Sequence, residues 1–356
     1  MKSLLLLVLA SFAVAGVPGV WSGQSVVATD LREMPAIDRL RVANLLGALA
    51  HDSMQGRATG TPGSARAARL IAAEMQRLGL EPAGDAGYVQ RIPIVMTRVL
   101  RRGATDSSWA PRAAASFAAR DTVQPASRRG EEANVVGVIR GSEPAARDSA
   151  IVVGAHFDHV GVGRPVDGDS IYNGADDDAS GVVAMLEIAR ALKALPAPRR
   201  TIVFAAFTGE EMGGIGSRWY LAHPVIPLER TVAQLQIEMI GRPDSLAGGE
   251  GKAWLTGFER STLGEALAAR GIPLVADPRP DQNFFRRSDN FAFARAGIPA
   301  HTLSSFNLHT DYHRPSDEVA KVDVEHMASV IDAAARAVWI MANGAAPQWK
   351  PGGKPE

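Results

Sequence analysis

Residues 201–211 read TIVFAAFTGEE, a short unbroken apolar run that ends in a glycine and two acids. Continuous apolar runs of this length are the mark of a strand buried on both faces of a sheet, as in α/β proteins. Working outward, Asn134 to Ile139 and Ile151 to Gly154 are β-branched runs, and Thr231 to Ile240 reads as another strand. Between them Gly181 to Leu195 has the 3.6 period of an amphipathic helix, with Val182, Met185, Leu186, Ala189 and Leu192 on its apolar face. Ser261 to Arg270 and Val324 to Ala342 are further helices. Ala36 to Leu80 also reads as helical: Ala67, Leu70, Ile71, Met75 and Leu78 share a face, Pro62 suits a helix start and Gly79 a C-terminal stop. Glu74 is the polar exception on that face. Alternating strands and helices imply an α/β sheet with helices on both sides.

Composition narrows the chemistry. The chain has 356 residues, 38 basic and 38 acidic, with a pI near 7.1 and no cysteine. Disulfides, thiolate-bound zinc and a cysteine nucleophile are excluded, so any metal must be held by His, Asp and Glu. A nucleic-acid partner is not expected, because the charge balance leaves no basic footprint. Residues 1–15, extending to about 23, read as a signal peptide: Lys2, an apolar run from Leu4 to Val20, and Ala13-Val14-Ala15 as a cleavage site. The expected location is therefore secreted or periplasmic, with no stable membrane association. Residues 36–345 read as one domain and 346–356 as a polar tail. Within the domain, residues 98–131 carry Arg, Ala, Ser and Pro without period and read as a surface excursion; Arg outnumbers Lys 32 to 6 along the whole chain, so this stretch is a solvated face.

Acids and imidazoles collect just beyond the predicted strand ends, where open α/β sheets bind ligands. Five segments qualify. In GAHFDH (154–159), Asp158 can hold the second nitrogen of His156. NGADDDASG (173–181) places three consecutive acids before a helix; capping accounts for one or two, and three adjacent charges repel unless a cation compensates them or they are well solvated. In TGEEMG (208–213), neighbouring Glu210 and Glu211 point in different directions, so one can bind metal while the other serves as a base. QIEMIG (236–241) buries Glu238 in a strand pattern, which is costly without a partner. HTDYHRPSD (309–317) adds His309 and His313. The chain has no G-x-S-x-G, H-E-x-x-H, Walker or G-x-G-x-x-G signature.

In this order GAHFDH, NGADDDASG, FTGEEMGGIGS, QIEMIG and DYHRPSDE resemble the zinc aminopeptidases of the M28 peptidase family, over about Leu45 to Met341. Gln55-Gly56-Arg57, Thr61-Pro62-Gly63, Ser288-Asp289 and Gly297-Ile298-Pro299 add to the likeness. The resemblance implies a three-layer α/β/α sandwich around a mixed, largely parallel sheet, with two Zn²⁺ at one edge. It implies Asp177 as the bridging ligand, His156 and Glu238 completing one site, Glu211 and His313 the other. Glu210 is then the general base that acts on a metal-bridging hydroxide, and Asp158 the partner of His156. His313 is preferred to His309 because the family's last ligand stands four residues before an Asp, here Asp317. A cis peptide after Asp177 is implied as well. The substrate is then the N-terminus of a peptide or protein, cleaved by an exopeptidase.

Two positions depart from the family pattern: Glu238 stands where many members have Asp, and Asn290 where His is frequent. The donor set would also suit Mn²⁺ or Co²⁺. Alternatives on the same scaffold are a single-zinc glutaminyl cyclase, a carboxypeptidase and a non-catalytic relative.

Overall fold

The computed structural model describes residues 31–100 and 107–356. The expected signal peptide lies outside the described residues. Eight helices are named here: α1 (Arg39–Leu49), α2 (Pro62–Arg77), α3 (Phe117–Asp121), α4 (Gly181–Lys193), α5 (Ile215–Ala222), α6 (Leu263–Ala268), α7 (Asn290–Arg295) and α8 (Val324–Asn343). The strands are β1 (Glu81–Pro82), β2 (Val89–Leu100), β3 (Ser107–Ala113), β4 (Arg129–Ile139), β5 (Ala150–His156), β6 (Gly161–Val166), β7 (Asp169–Tyr172), β8 (Thr201–Phe207), β9 (Thr231–Ile237), β10 (Ala253–Leu255), β11 (Leu274–Ala276) and β12 (Ala300–Ser304).

One ten-stranded sheet runs β11-β10-β12-β9-β5-β8-β4-β2-β3, with β1 paired to β4, while β6 and β7 form a separate hairpin. Its centre, β12-β9-β5-β8, is parallel, and antiparallel strands flank it on the β4 side. Strands β5 and β8 are buried at every residue. Their alternation sorts side chains between two cores. Ile151, Val153, Ala155, Ile202, Phe204 and Ala206 meet α1, α2, α4 and α8 on one face. Ala150, Val152, Val203, Ala205 and Phe207 meet Tyr220 of α5 and Phe293 of α7 on the other. The expected three-layer sandwich is what the chain forms.

The expected helix over Ala36 to Leu80 is two helices. Gln55 and Gly56 between them adopt positive φ (52° and 60°), which no α-helix accommodates. Thr61 caps α2 with Pro62 in its first turn. Glu74, the polar exception, accepts a 2.7 Å bond from Arg41 of α1, whose Nε also bonds Glu187 of α4, so Arg41 joins three helices through the two acids.

Within the expected surface excursion, the described residues 98–100 and 107–131 are more ordered than their composition suggests. β3 pairs antiparallel with β2 from Ile94↔Ala113 to Leu100↔Ser107, and Arg98 and Arg128 lie 5.7 and 4.3 Å from the Trp109 ring centre. The edge strand β3 has no apolar alternation.

Residues 346–356 are not a free polar tail. Trp349 donates to the Gly297 carbonyl at 2.9 Å and stands edge-on to Phe285, while Pro347, Gly353 and Pro355 are buried. Ending the chain at Ala346 should remove about 2–4 kcal/mol of stability, one large side chain and its hydrogen bond. A lower urea midpoint would show it; an unchanged midpoint would mean that the segment contributes nothing to the fold.

Candidate metal centre

The parallel strands end on one edge, and the chain turns there bring the acids and imidazoles together. β5 stops at His156, whose Nδ1 lies 3.1 Å from the backbone carbonyl of Asp158. A proton donated there leaves Nε2 free, and Nε2 is 3.3 Å from Asp177 Oδ1. The Asp158 carboxylate is 3.7 Å from the ring and instead accepts from the Glu210 amide (3.0 Å) and the Thr59 hydroxyl (3.1 Å). Its link to His156 is therefore mainly through its own backbone, and its carboxylate places Glu210.

The three acids before α4 divide their work. Asp177 alone reaches both sets of donors. Asp178 accepts from the amides of His156, Gly181 and Met239 (3.2, 3.0 and 3.1 Å), and Asp176 from Gly241 (2.7 Å). They tie the Asp loop to β5 and to the segment after β9. The Asp177–Asp178 peptide is cis, as the resemblance implied. Gly174 enters the loop at φ 56°, and a Cβ there would lie 2.2 Å from the Asp177 carbonyl and 2.6 Å from the His159 ring. Only glycine fits that approach.

Two donor groups share Asp177. His156, Asp177 and Glu238 form one; His159, Asp177, Glu211 and His313 form the other, each with ligand atoms within 4.8 Å of one another. His313 Nε2 is 3.1 Å from Asp177 Oδ2 and 2.9 Å from Glu211 Oε1, and His159 Nδ1 is 3.1 Å from that same oxygen. The residues fit bound metal on an observation independent of any relative. Both nitrogens of His159, Asp177 Oδ2, Glu211 Oε1 and Glu238 Oε2 are buried without an aligned hydrogen-bond partner. Buried polar atoms in such numbers, aimed at shared points, ask for cations.

The electrostatics agree. Burial pulls the His313 imidazole down, but Asp177 and Glu211 outweigh it and lift it to about 10. Burial raises Glu211, yet with His159 and His313 beside it the carboxyl falls to about 2. Where no imidazole bonds the acid, burial dominates: Glu238 rises to about 7 and Glu210 well above the usual range.

Glu210 and Glu211 face apart. Glu211 belongs to a donor group, whereas Glu210 belongs to neither and lines a cavity of about 680 Å³ between α5 and α7. On the Glu238 side a narrow slot is walled by Met239, Trp254, Phe284, Phe306 and Tyr312. His309 sits apart from both donor groups, its Nε2 3.1 Å from Asp176 Oδ2. Asn290 is buried and accepts from the Thr302 hydroxyl at 3.0 Å, a bracing contact behind this wall.

Three contributors escape sequence reasoning. His159 was visible only as the end of GAHFDH. Asp317 accepts from the amides of Asp176 and Asp177 at 3.1 and 3.0 Å, fixing the bridging acid's backbone. Arg57 is fully buried and donates to the carbonyls of Phe157, Leu49, Asn173 and Gly174 at 2.6–2.9 Å.

The model of peptidase family M28 matches residues 134–338. The chain belongs to this family. Among curated relatives, aminopeptidase YwaD of Bacillus subtilis (strain 168) is 26% identical over 221 residues, 58% of this chain and 44% of YwaD. The chain thus spans under half the length of that relative. Among solved structures, an aminopeptidase from Aneurinibacillus sp. strain AM-1 superposes with a TM-score of 0.61 at 18% identity, covering 90% of this chain and 97% of that one. The glutaminyl cyclase of Porphyromonas gingivalis superposes with a TM-score of 0.56 at 16% identity over 85% and 98% of the two chains. At these identities the likeness is one of fold, and fold is shared by aminopeptidases and a cyclase alike.

Arg57→Met should destabilise the protein by about 3 kcal/mol or more, since four carbonyls lose their donor and the neighbouring acids lose a positive charge. Chemical denaturation of the metal-free protein measures this directly. A loss below about 0.5 kcal/mol would show that the clamp is dispensable.

Proposed function

We propose that the protein is a dizinc aminopeptidase that removes single residues from peptide N-termini. The observation that carries this reading is the division of donors around Asp177 into two groups, with Glu210 outside both and facing the large cavity. A single-zinc cyclase needs one group; here a second set of four donors includes four buried nitrogen or oxygen atoms without an aligned hydrogen-bond partner.

Asp177 would be shared by the two sites, with His156 and Glu238 completing one and His159, Glu211 and His313 the other. Zinc ions held there supply Lewis acidity toward the scissile carbonyl and acidify water. Glu210, with its pKa raised by burial, takes the proton from the attacking water and returns it to the leaving amine. Asp158 holds the Glu210 backbone at 3.0 Å and so fixes where that carboxylate points. The aromatic slot beside Glu238 receives an apolar N-terminal side chain. Mn²⁺ or Co²⁺ would be held by the same donors. The substrates are peptide or protein N-termini. Export through residues 1–23 is part of the proposal; intact mass of the exported chain tests it, and a chain still starting at Met1 contradicts it.

Glu210→Gln should keep its full metal content and lose kcat by about 10²-fold or more on Leu-p-nitroanilide. Turnover within about threefold of the parent would remove Glu210 from this role. His159→Ala should lower the affinity of one metal site by about 10- to 100-fold, the usual cost for a perturbed site, while the other stays filled on stepwise zinc titration. Two unaltered binding steps would mean that His159 is not a ligand.

A further inference from the structure

The 680 Å³ cavity that Glu210 lines is walled by Arg218 of α5, Arg286 and Arg287 from the turn before α7, and Arg295 at the end of α7; Arg287 also borders the aromatic slot, so the groove's own cations are Arg218, Arg286 and Arg295. Its floor carries two carboxylates, Glu210 and Asp289. Asp289 is already engaged, accepting from the Ser217 hydroxyl at 2.5 Å. Four guanidiniums therefore face two acids, and none of the four forms a hydrogen bond or an ion pair with a carboxylate among the described residues. This is unlike Arg41, Arg91, Arg140, Arg242 or Arg279, each of which holds an acid within 2.8 Å. Arg286 and Arg287 instead lie 5.4 and 4.9 Å from the ring centres of Phe291 and Phe284. An aromatic face steadies a guanidinium without neutralising it and leaves its planar edge free for a bidentate acceptor.

We propose that this groove is a carboxylate-binding subsite for the leaving fragment of the peptide. The inference rests on the aminopeptidase reading above, and it follows from which end of the site Glu210 occupies. The acid that protonates the leaving amine stands on the leaving side, so the chain beyond the scissile bond enters the cavity that Glu210 lines. The aromatic slot on the Glu238 side takes the residue being released. The groove's net positive charge then selects fragments bearing a carboxylate close to the cut. That carboxylate is either the free C-terminus of a di- or tripeptide or an acidic side chain at the second position. Both present the same two oxygens to the same arginines.

The test compares matched pairs on the zinc-loaded full chain: Leu-Ala with Leu-Ala-amide, and Leu-Asp-amide with Leu-Asn-amide, with Leu-p-nitroanilide as the uncharged reference. In at least one pair the acid member should have a kcat/KM about tenfold higher at about 20 mM salt, shrinking several-fold at about 0.5 M because the arginines are exposed. Preference in the first pair alone identifies the free C-terminus, and in the second alone the acidic side chain. Arg286→Ala with Arg295→Ala should abolish the preference, the acid member of each pair falling to the kcat/KM of its uncharged partner in the same variant. Equal rates within both pairs, or a preference that survives the double variant, overturns the subsite while leaving the aminopeptidase reading intact. If the nitroanilide is not cleaved, that reading fails instead. Calorimetric titration of the same pairs into the protein then decides the subsite by itself: tighter, salt-sensitive binding of the acid member supports it, and equal affinity overturns it.

Discussion

A single buried carboxylate, Asp177, stands between three imidazoles, with His156 on one oxygen and His159 and His313 on the other. Much of the edge of the sheet exists to keep it there. Asp317 holds its amide, Asp178 ties the loop to β5 and to the chain after β9, and Arg57 draws together four carbonyls from three segments around it. A buried acid among other acids is unfavourable unless positive charge is close. Arg57 supplies part of that charge from behind, and its attraction to Asp177, Asp317, Asp158 and Asp178 opposes the burial that depresses its own pKa. The remainder is left to the open side, where the unpartnered atoms converge.

The centre is asymmetric, and the asymmetry gives it direction. One donor group has three residues and borders the aromatic slot; the other has four, with Glu211 and His313 at its rim. Adjacent residues of one turn serve different sides, since Glu211 joins a donor group and Glu210 lines the arginine-walled groove. On the proposed reading, a peptide laid across the edge would have the aromatic slot before the scissile bond and the arginine-walled groove after it, with Arg287 bordering both.

Most of the scaffold was legible in the sequence because the central strands are buried on both faces and the long helices are amphipathic, so their apolar patterns are strong. The strands β10, β11 and β12 were not, being only three to five residues long, and β3 (SSWAPRA) is an edge strand with no apolar alternation. The donors read from the five segments lie together. His159 was harder to see because it follows the end of β5, where alternation no longer says which way a side chain points. Arg57 carried no signal of its own, since an arginine that binds only backbone carbonyls leaves no partner to find in the sequence. Of the two acids flanking Asp177, Asp178 accepts from the Gly181 amide at the start of α4, as capping would have it, whereas Asp176 binds the Gly241 amide outside that helix.

The measurement that tests the central claim most directly is anomalous diffraction at the zinc edge from crystals of the zinc-loaded protein. The account predicts two peaks, one on each side of Asp177, each within about 2.0–2.2 Å of one of its oxygens. A single peak, or two that share no ligand, would contradict it.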